Sequence, residues 1–74
     1  MSLYEQALEK SWRIGGNLRR IREERKMTQL QLADLAEMRS INISRVERGE
    51  NIPSVFTLIM LTNALGVTFE DLTR

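Results

Sequence analysis

The chain has 74 residues, a formal net charge of +1, and neither cysteine nor histidine. Without cysteine it can form no disulfide or thiolate metal site, and without histidine it lacks the commonest general base and metal ligand. We therefore expect no metal, no cofactor and no enzyme activity. A single domain of this size buries too little surface to be more than marginally stable, which favours a dimer.

The apolar residues are not arranged to cross a membrane. A membrane-spanning helix needs about 20 apolar residues, whereas the longest apolar stretch, 55–67, is interrupted by Thr57, Thr62 and Asn63. The opening segment, MSLYEQALEK, carries acidic side chains and lacks the apolar centre of a signal peptide. Together with the missing cysteines, this pattern predicts a cytoplasmic protein with no membrane partner.

Apolar residues at helical spacing begin near residue 14. Ile14, Leu18 and Ile21 recur at i, i+4 and i+7, which places them on one face of a first helix. The Gly15–Gly16 pair costs a helix about 1 kcal/mol per glycine, so the start of this helix is poorly defined by its sequence.

The residues before this helix are predicted to form an extension. Tyr4, Leu8 and Trp12 would share one helical face over a turn or two between residues 2 and 12. We therefore divide the chain into a helical N-terminal extension, 1–13, and a domain, 14–74.

Two short helices follow with little chain between them. Thr28 and Gln31 have the spacing of a capping box, in which the hydroxyl and the amide oxygen each accept a free backbone N–H, so we expect a helix over 28–36. A turn near residues 37–38 precedes a third helix over 40–48. Two helices joined by such a short turn have the spacing of a helix-turn-helix.

Two further helices complete the pattern. Ser54 is placed to cap a fourth helix over 55–65. A short fifth helix begins at Thr68, with Phe69 and Leu72 as its apolar contacts. No segment shows the alternation of a strand, so the sequence predicts an all-α fold of five helices packed as one compact domain.

The charges are sorted along the chain. Residues 10–48 contain ten basic and five acidic side chains, a net +5, whereas residues 1–9 and 49–74 each carry a net −2. Phosphate binding depends on local rather than total charge. The central segment can therefore bind a polyanion, although its basic residues could equally form a solvated helix face.

Four motifs resemble the phage repressor and Cro-type helix-turn-helix proteins, the XRE family. Thr28 to Ala33 reads TQLQLA, similar to the family's TQ-x-x-LA, and Ile43 to Gly49 reads ISRVERG, similar to ISRIERG. Residues that match the family's first and fourth helices are Ile14-Gly15, Leu18, Ile21, Arg22, Pro53-Ser54, Thr57-Leu58 and Ala64 to Val67. The resemblance covers about 14–72.

The resemblance implies a five-helix domain of the lambda-repressor type that binds double-stranded operator DNA as a homodimer. The second helix of the motif would enter the major groove, with Ser40, Ile41 and Arg45 facing base edges. The residues implied to bind the DNA backbone are Gln29, Arg39, Asn42, Ser44, Arg48 and Asn51. Arg22 and Glu47 match a pair that forms an internal salt bridge in many members.

Two residues in the turn depart from the family pattern. Glu37 lies where the family usually has a left-handed glycine, at a cost of about 1 kcal/mol. Arg39 lies where the family usually has a capping Ser or Thr, so either Ser40 caps a helix that starts one residue later or the cap is lost. The side chain that leads into the groove depends on this alternative.

Each implied contact has a structural alternative. Arg45 could bind guanine through two hydrogen bonds, worth about 1–3 kcal/mol of discrimination, or contact a phosphate or Glu47. Ile41 could meet a thymine methyl group or lie half-buried at the core. Gln29 and Arg39 could each bind phosphate or face solvent.

Phe56, Ile59 and Met60 form an apolar group in the fourth helix, where the family usually has charged residues at the first and third of these positions. They could be ordinary core, or they could be an exposed patch used for dimerisation. We predict a homodimer interface on the fourth and fifth helices, to which the N-terminal extension could add.

The sequence thus predicts a DNA-binding transcriptional regulator, a repressor that covers a promoter as a symmetric dimer. The alternative is a protein-interaction adaptor or antitoxin-like module that reuses the same fold. Gln29, Arg48 and the net +5 segment favour the regulator, because an adaptor has no need for a phosphate-binding set.

Overall fold

Five α-helices and no strand make up the fold in the computed structural model, which describes residues 1–74. The helices are α1 (Leu3–Glu24), α2 (Gln29–Leu35), α3 (Ser40–Glu47), α4 (Val55–Leu65) and α5 (Phe69–Thr73). The predicted all-α, five-helix fold is therefore confirmed. None of these helices has both the length and the apolar character needed to cross a membrane.

Helix α1 is longer than the apolar spacing predicted. Ser2 and Glu5 form a capping box, in which Glu5 N–H donates to Ser2 Oγ at 3.1 Å and Ser2 N–H donates to Glu5 Oε1 at 3.3 Å. From this cap the helix runs without a break through the Gly15–Gly16 pair. The prediction that the extension is helical is therefore confirmed, but it is continuous with the first helix and is not a separate turn or two.

Burial nevertheless divides α1 between residues 13 and 14. The core consists of 11 buried apolar side chains, which are Ile14, Leu18, Ile21, Leu32, Ala33, Ala36, Ile43, Val46, Leu61, Leu65 and Leu72. No residue before Ile14 is buried. We call segment 3–13 of α1 the overhang and residues 14–74 the body. The backbone of the overhang continues into the body as one helix, but none of its side chains is buried in the core.

Helix α2 begins with a side-chain cap, whereas α3, after the turn, does not. Gln31 N–H donates to Thr28 Oγ1 at 3.0 Å, so α2 has the predicted cap. Glu37 has a φ of +56°, which is the left-handed conformation that usually requires glycine. Helix α3 begins at Ser40, and Arg39 occupies the N-cap position without a side-chain capping bond. Of the two alternatives at this helix start, the loss of the cap is the one observed.

The last two helices have the predicted bounds. Thr57 N–H donates to Ser54 Oγ at 3.1 Å at the start of α4. In α5 Leu72 is fully buried but Phe69 is exposed, so the expectation that both contact the core was wrong for Phe69. The anchored end of α5 is the later one, because the Asn17 side chain donates to Leu72 O at 2.8 Å.

Candidate nucleic-acid interface

Helix α3 has two different faces. Its core side is formed by Ile43 and Val46, both buried. On the opposite side Ile41, Arg45 and Arg48, spaced at i, i+4 and i+7, are exposed to solvent. The alternative in which Ile41 belongs to the core is therefore wrong. This outward face contains two of the three residues predicted to read bases.

The third of those residues, Ser40, lies half-buried at the first position of α3. Its hydroxyl makes no capping bond, because the N-cap position belongs to Arg39. Arg39 itself is exposed. The Ser40 hydroxyl and the Arg39 guanidinium at the start of α3 are therefore not hydrogen-bonded to the local backbone.

The basic side chains of the central segment fall into two groups. Arg19 and Arg20 pair with carboxylates one turn further along α1. These two arginines therefore form a solvated helix face, the alternative to a polyanion-binding surface. The basic side chains that are exposed and form no ion pair are Lys10, Arg25, Lys26, Arg39 and Arg45, of which Arg25 donates to Leu65 O. Apart from Lys10, the positive charge available to an anion therefore lies along α3 with its N-cap and in the loop that follows α1.

A buried ion pair fixes α3 against α1. Arg22 donates from Nε to Glu47 Oε2 at 2.7 Å and from Nη2 to Glu47 Oε1 at 2.9 Å. The two side chains are only 11% and 3% exposed, and hydrogen bonding to Glu47 raises the pKa of Arg22 above its ordinary value. Arg22 Nη1 also donates to Met27 O at 2.7 Å. The pair thus joins α1, the loop after it and α3.

Gln29 belongs to the same network. Its Nε2 donates to Glu47 Oε1 at 3.0 Å, so its side chain is not free in solvent and is already bonded to the Glu47 carboxylate. Nothing in the local sequence indicates this contact, because residues 29 and 47 meet only through the packing of α2 on α3. A glutamine amide has two N–H donors, and the bond to Glu47 leaves one of them for another acceptor.

Two predicted backbone-binding residues contact each other. Arg48 donates to Ser44 Oγ and to a carboxylate oxygen of Glu50, and the hydrogen bond from Arg48 lowers the pKa of Glu50. Asn42 and Asn51 line one hollow between α3 and the loop that follows it. Engagement of Arg48 by a phosphate would therefore replace its bond to Glu50.

Gly15 has a structural role that was not predicted from the sequence. A Cβ atom at this position would lie 2.2 Å from Val46 O, on the backbone of α3. Only glycine lets α1 and α3 approach this closely, so Gly15 sets the distance between the two helices whose angle the Arg22–Glu47 pair fixes. The match of Ile14-Gly15 to the family's first helix is the signal that could have identified it.

An apolar patch lies on the outer side of α4. Phe56 is 71% exposed and Ile59 is 41% exposed, so the alternative of ordinary core is wrong for both. Met60 is half-buried and lines a shallow hollow with residues of the α2–α3 turn, among them Leu35 and Ala36. We call Phe56, Ile59 and Met60 the α4 patch.

Known proteins share both the sequence pattern and the fold. The helix-turn-helix family HTH_3 matches residues 18–72. The immunity repressor protein of Bacillus phage phi105 is 39% identical over 54 residues, which cover 73% of this chain and 38% of that protein. The transcriptional repressor RghR of Bacillus subtilis (strain 168) is 41% identical over 60 residues, which cover 80% of this chain and 44% of that protein.

A solved structure agrees with this match. The restriction-modification controller protein C.AhdI from Aeromonas hydrophila superposes with a TM-score of 0.78 at 28% identity, covering 82% of this chain and 92% of that one. The fold and the α2–turn–α3 unit are those of a helix-turn-helix domain of transcriptional regulators. The chain belongs to the HTH_3 helix-turn-helix family, which confirms the resemblance to XRE-type repressors. It spans less than half the length of the two repressors it matches.

Proposed function

We propose that this chain is a DNA-binding domain of a transcriptional repressor and that it places α3 in the major groove of double-stranded operator DNA. The observation that carries the proposal is the outward face of α3. The side chains on this face, those of Ile41, Arg45 and Arg48, are exposed. Arg45 and the adjacent Arg39 have no carboxylate partner, and the Arg22–Glu47 pair holds the helix from its core side. Repressors among the relatives support the same function.

In this proposal the base edges are contacted by Ser40, Ile41 and Arg45. Arginine can donate two hydrogen bonds to guanine O6 and N7, an aliphatic side chain can meet the thymine methyl group, and a hydroxyl discriminates weakly because it donates and accepts. Phosphate contacts fix the position of the domain without reading sequence. The residues proposed for them are Gln29, Arg39, Asn42, Ser44, Arg48 and Asn51.

Replacing Arg45 with alanine should relax the preference for one base pair by about 1–3 kcal/mol, because the bidentate contact to guanine is lost. The measurement selects bound duplexes from a random pool with the wild-type chain and then compares both proteins on single-base substitutions of the selected site. Arg19→Ala is the matched control, since Arg19 is ion-paired on α1. An Arg45→Ala variant with unchanged preference would remove Arg45 from the base-reading set.

We further propose that the chain acts as a homodimer through the α4 patch. Exposed aromatic and aliphatic side chains grouped in this way are typical of protein interfaces. A two-fold dimer would set its recognition helices about 34 Å apart, which matches half-sites roughly 10 bp apart. Such a dimer would repress by covering a promoter, and its site of action would be the cytoplasm.

Replacing Phe56 with glutamate should convert the dimer to a monomer, because the interface would bury an unpaired charge. Folding should be retained, since Phe56 is mostly exposed. Sedimentation equilibrium gives the mass, and circular dichroism gives the helix content. Leu30→Glu, at an exposed leucine of α2, serves as the control and should remain dimeric. A dimer that persists in Phe56→Glu would place the interface elsewhere.

A further inference from the structure

We propose that Glu50 sets how tightly this chain binds the DNA backbone, because its carboxylate occupies Arg48 until a phosphate displaces it. This role rests on the proposed DNA binding, in which Arg48 contacts a phosphate. It affects affinity and not base preference, since phosphate contacts carry no sequence information.

The chain turns back at the end of α3 and places Glu50 beside the last turn of that helix. Gly49 has a φ of +73°, the left-handed conformation in which many helices end. Gly49 N–H donates to Val46 O at 3.0 Å, and Glu50 N–H donates to Arg45 O at 2.9 Å. These are the two hydrogen bonds of a Schellman motif. The backbone of Glu50 is therefore held against the turn of α3 that carries Arg45 and Arg48.

The overhang packs on the same turn. A Cβ atom at Gly49 would lie 3.1 Å from Trp12 Cδ1, so the indole of Trp12 lies against the backbone at the residue that has no side chain. Hydrogen bonds to α3 and packing against Trp12 together fix the backbone from which the Glu50 side chain reaches Arg48.

The guanidinium of Arg48 is already occupied by these neighbours. Its Nε donates to a carboxylate oxygen of Glu50, and its Nη1 donates to Ser44 Oγ. A guanidinium binds phosphate most strongly through two parallel N–H bonds from one edge. A phosphate on the edge that contains Nε must therefore replace Glu50. A phosphate on the other edge shares the guanidinium with a carboxylate, which repels it.

The charge of Glu50 also affects the rest of this surface. Its hydrogen bond from Arg48, and then the charges of Arg48 and Arg45, lower the pKa of Glu50 below its ordinary value. The carboxylate is therefore ionised at neutral pH and lies within the field of both arginines. Glu50 also lines the hollow that contains Asn42 and Asn51, two of the residues proposed to bind the DNA backbone.

Stability does not account for a carboxylate at this position. The C-terminal end of a helix is the negative end of its dipole, which disfavours an anion. The side chains of Arg48 and Glu50 are 51% and 54% exposed, and exposed ion pairs contribute little to folding. What the pair changes is the state of Arg48 before DNA binds, because its charge is already neutralised and the pair must separate on binding.

Replacing Glu50 with glutamine in the full-length chain tests this role. The variant should bind a labelled duplex about two- to five-fold more tightly, the effect of removing an exposed ionic competitor. The factor should be the same for the duplex selected from the random pool and for a scrambled one. Glu70→Gln, at an exposed residue of α5, removes the same charge and should change the affinity little. Fluorescence anisotropy measures the affinities, and thermal unfolding should show both variants to be as stable as the wild type.

An Arg48→Ala background shows whether Glu50 acts through Arg48. In that background Glu50→Gln should have a much smaller effect, because no guanidinium remains to be released. Equal tightening by Glu50→Gln and Glu70→Gln, weaker binding by Glu50→Gln, or its full effect in the Arg48→Ala background would overturn the proposal. A wild-type chain that binds no duplex would overturn the proposed DNA binding and this role with it. Wild-type binding that Glu50→Gln leaves unchanged would overturn only the role of Glu50.

Discussion

Replacing Glu47 with alanine should lower the free energy of unfolding by about 3–5 kcal/mol, the effect of leaving one partner of a buried ion pair alone. Glu47 accepts two hydrogen bonds from Arg22 and one from Gln29. Its removal leaves the guanidinium of Arg22 with little access to water and no carboxylate. A chain of this size has a total stability of only about 4–11 kcal/mol, so the loss is a large fraction of the total and the urea midpoint should fall markedly.

The matched control is Glu24→Ala on α1. Glu24 pairs with Arg20 at 2.6 Å, but both side chains are more than half exposed, and such surface pairs contribute about 0–1 kcal/mol. Urea denaturation followed by circular dichroism measures both variants. Equal losses in the two would mean that the Glu47 pair behaves as a surface pair and does not fix α3.

A double variant separates the role of the charges from that of the contact. Arg22→Met with Glu47→Leu removes both charges and should regain much of the stability lost in Glu47→Ala, because paired apolar residues of similar volume often replace a buried ion pair without loss. If the double variant recovers its stability, the stability lost in Glu47→Ala comes from leaving the Arg22 charge without a partner.

Alanine at two adjacent glycines of α1 should have effects of opposite sign. A Cβ at Gly15 would lie 2.2 Å from the carbonyl oxygen of Val46, so Gly15→Ala must push α3 away from α1. Overpacking of this kind costs about 1–3 kcal/mol. A Cβ at Gly16 would meet nothing within 4 Å, and the same substitution there should add about 0.5–1 kcal/mol through helix propensity.

Thermal unfolding of the two variants beside the wild type measures this difference. Both substitutions change the same residue type in the same helix, so propensity and unfolded-state effects are matched between them. Stabilisation by Gly15→Ala would contradict the close approach of α1 and α3, and destabilisation by Gly16→Ala would contradict the open surface at that position.

Local signals in the sequence determine much of the fold. The starts of α2, α4 and α5 were predicted from Thr28, Ser54 and Thr68, because a capping bond spans only three residues. The unbroken α1 was missed because the glycine penalty was weighed without the cap at Ser2, whose box with Glu5 can be read from the same spacing rule.

The candidate site was less predictable than the fold. The outward face of α3 follows from its periodicity, so Ile41 and Arg45 could be placed without coordinates. The partners of Gln29 and Arg48 could not, because they depend on how α2 and the loop after α3 pack. The close contact at Gly15 likewise exists only once α1 has docked on α3.

The salt dependence of binding to duplex DNA distinguishes a DNA-binding α3 from a protein-interaction surface. If α3 and its neighbouring arginines bind DNA, the logarithm of the affinity should fall linearly with the logarithm of the salt concentration, by about 0.9 for each phosphate contact. Arg39→Ala should reduce that slope by about one contact, while the ion-paired control Arg19→Ala should leave it unchanged. Absence of duplex binding at low salt, or an affinity indifferent to salt, would mean that α3 does not bind DNA and would favour a protein-interaction adaptor.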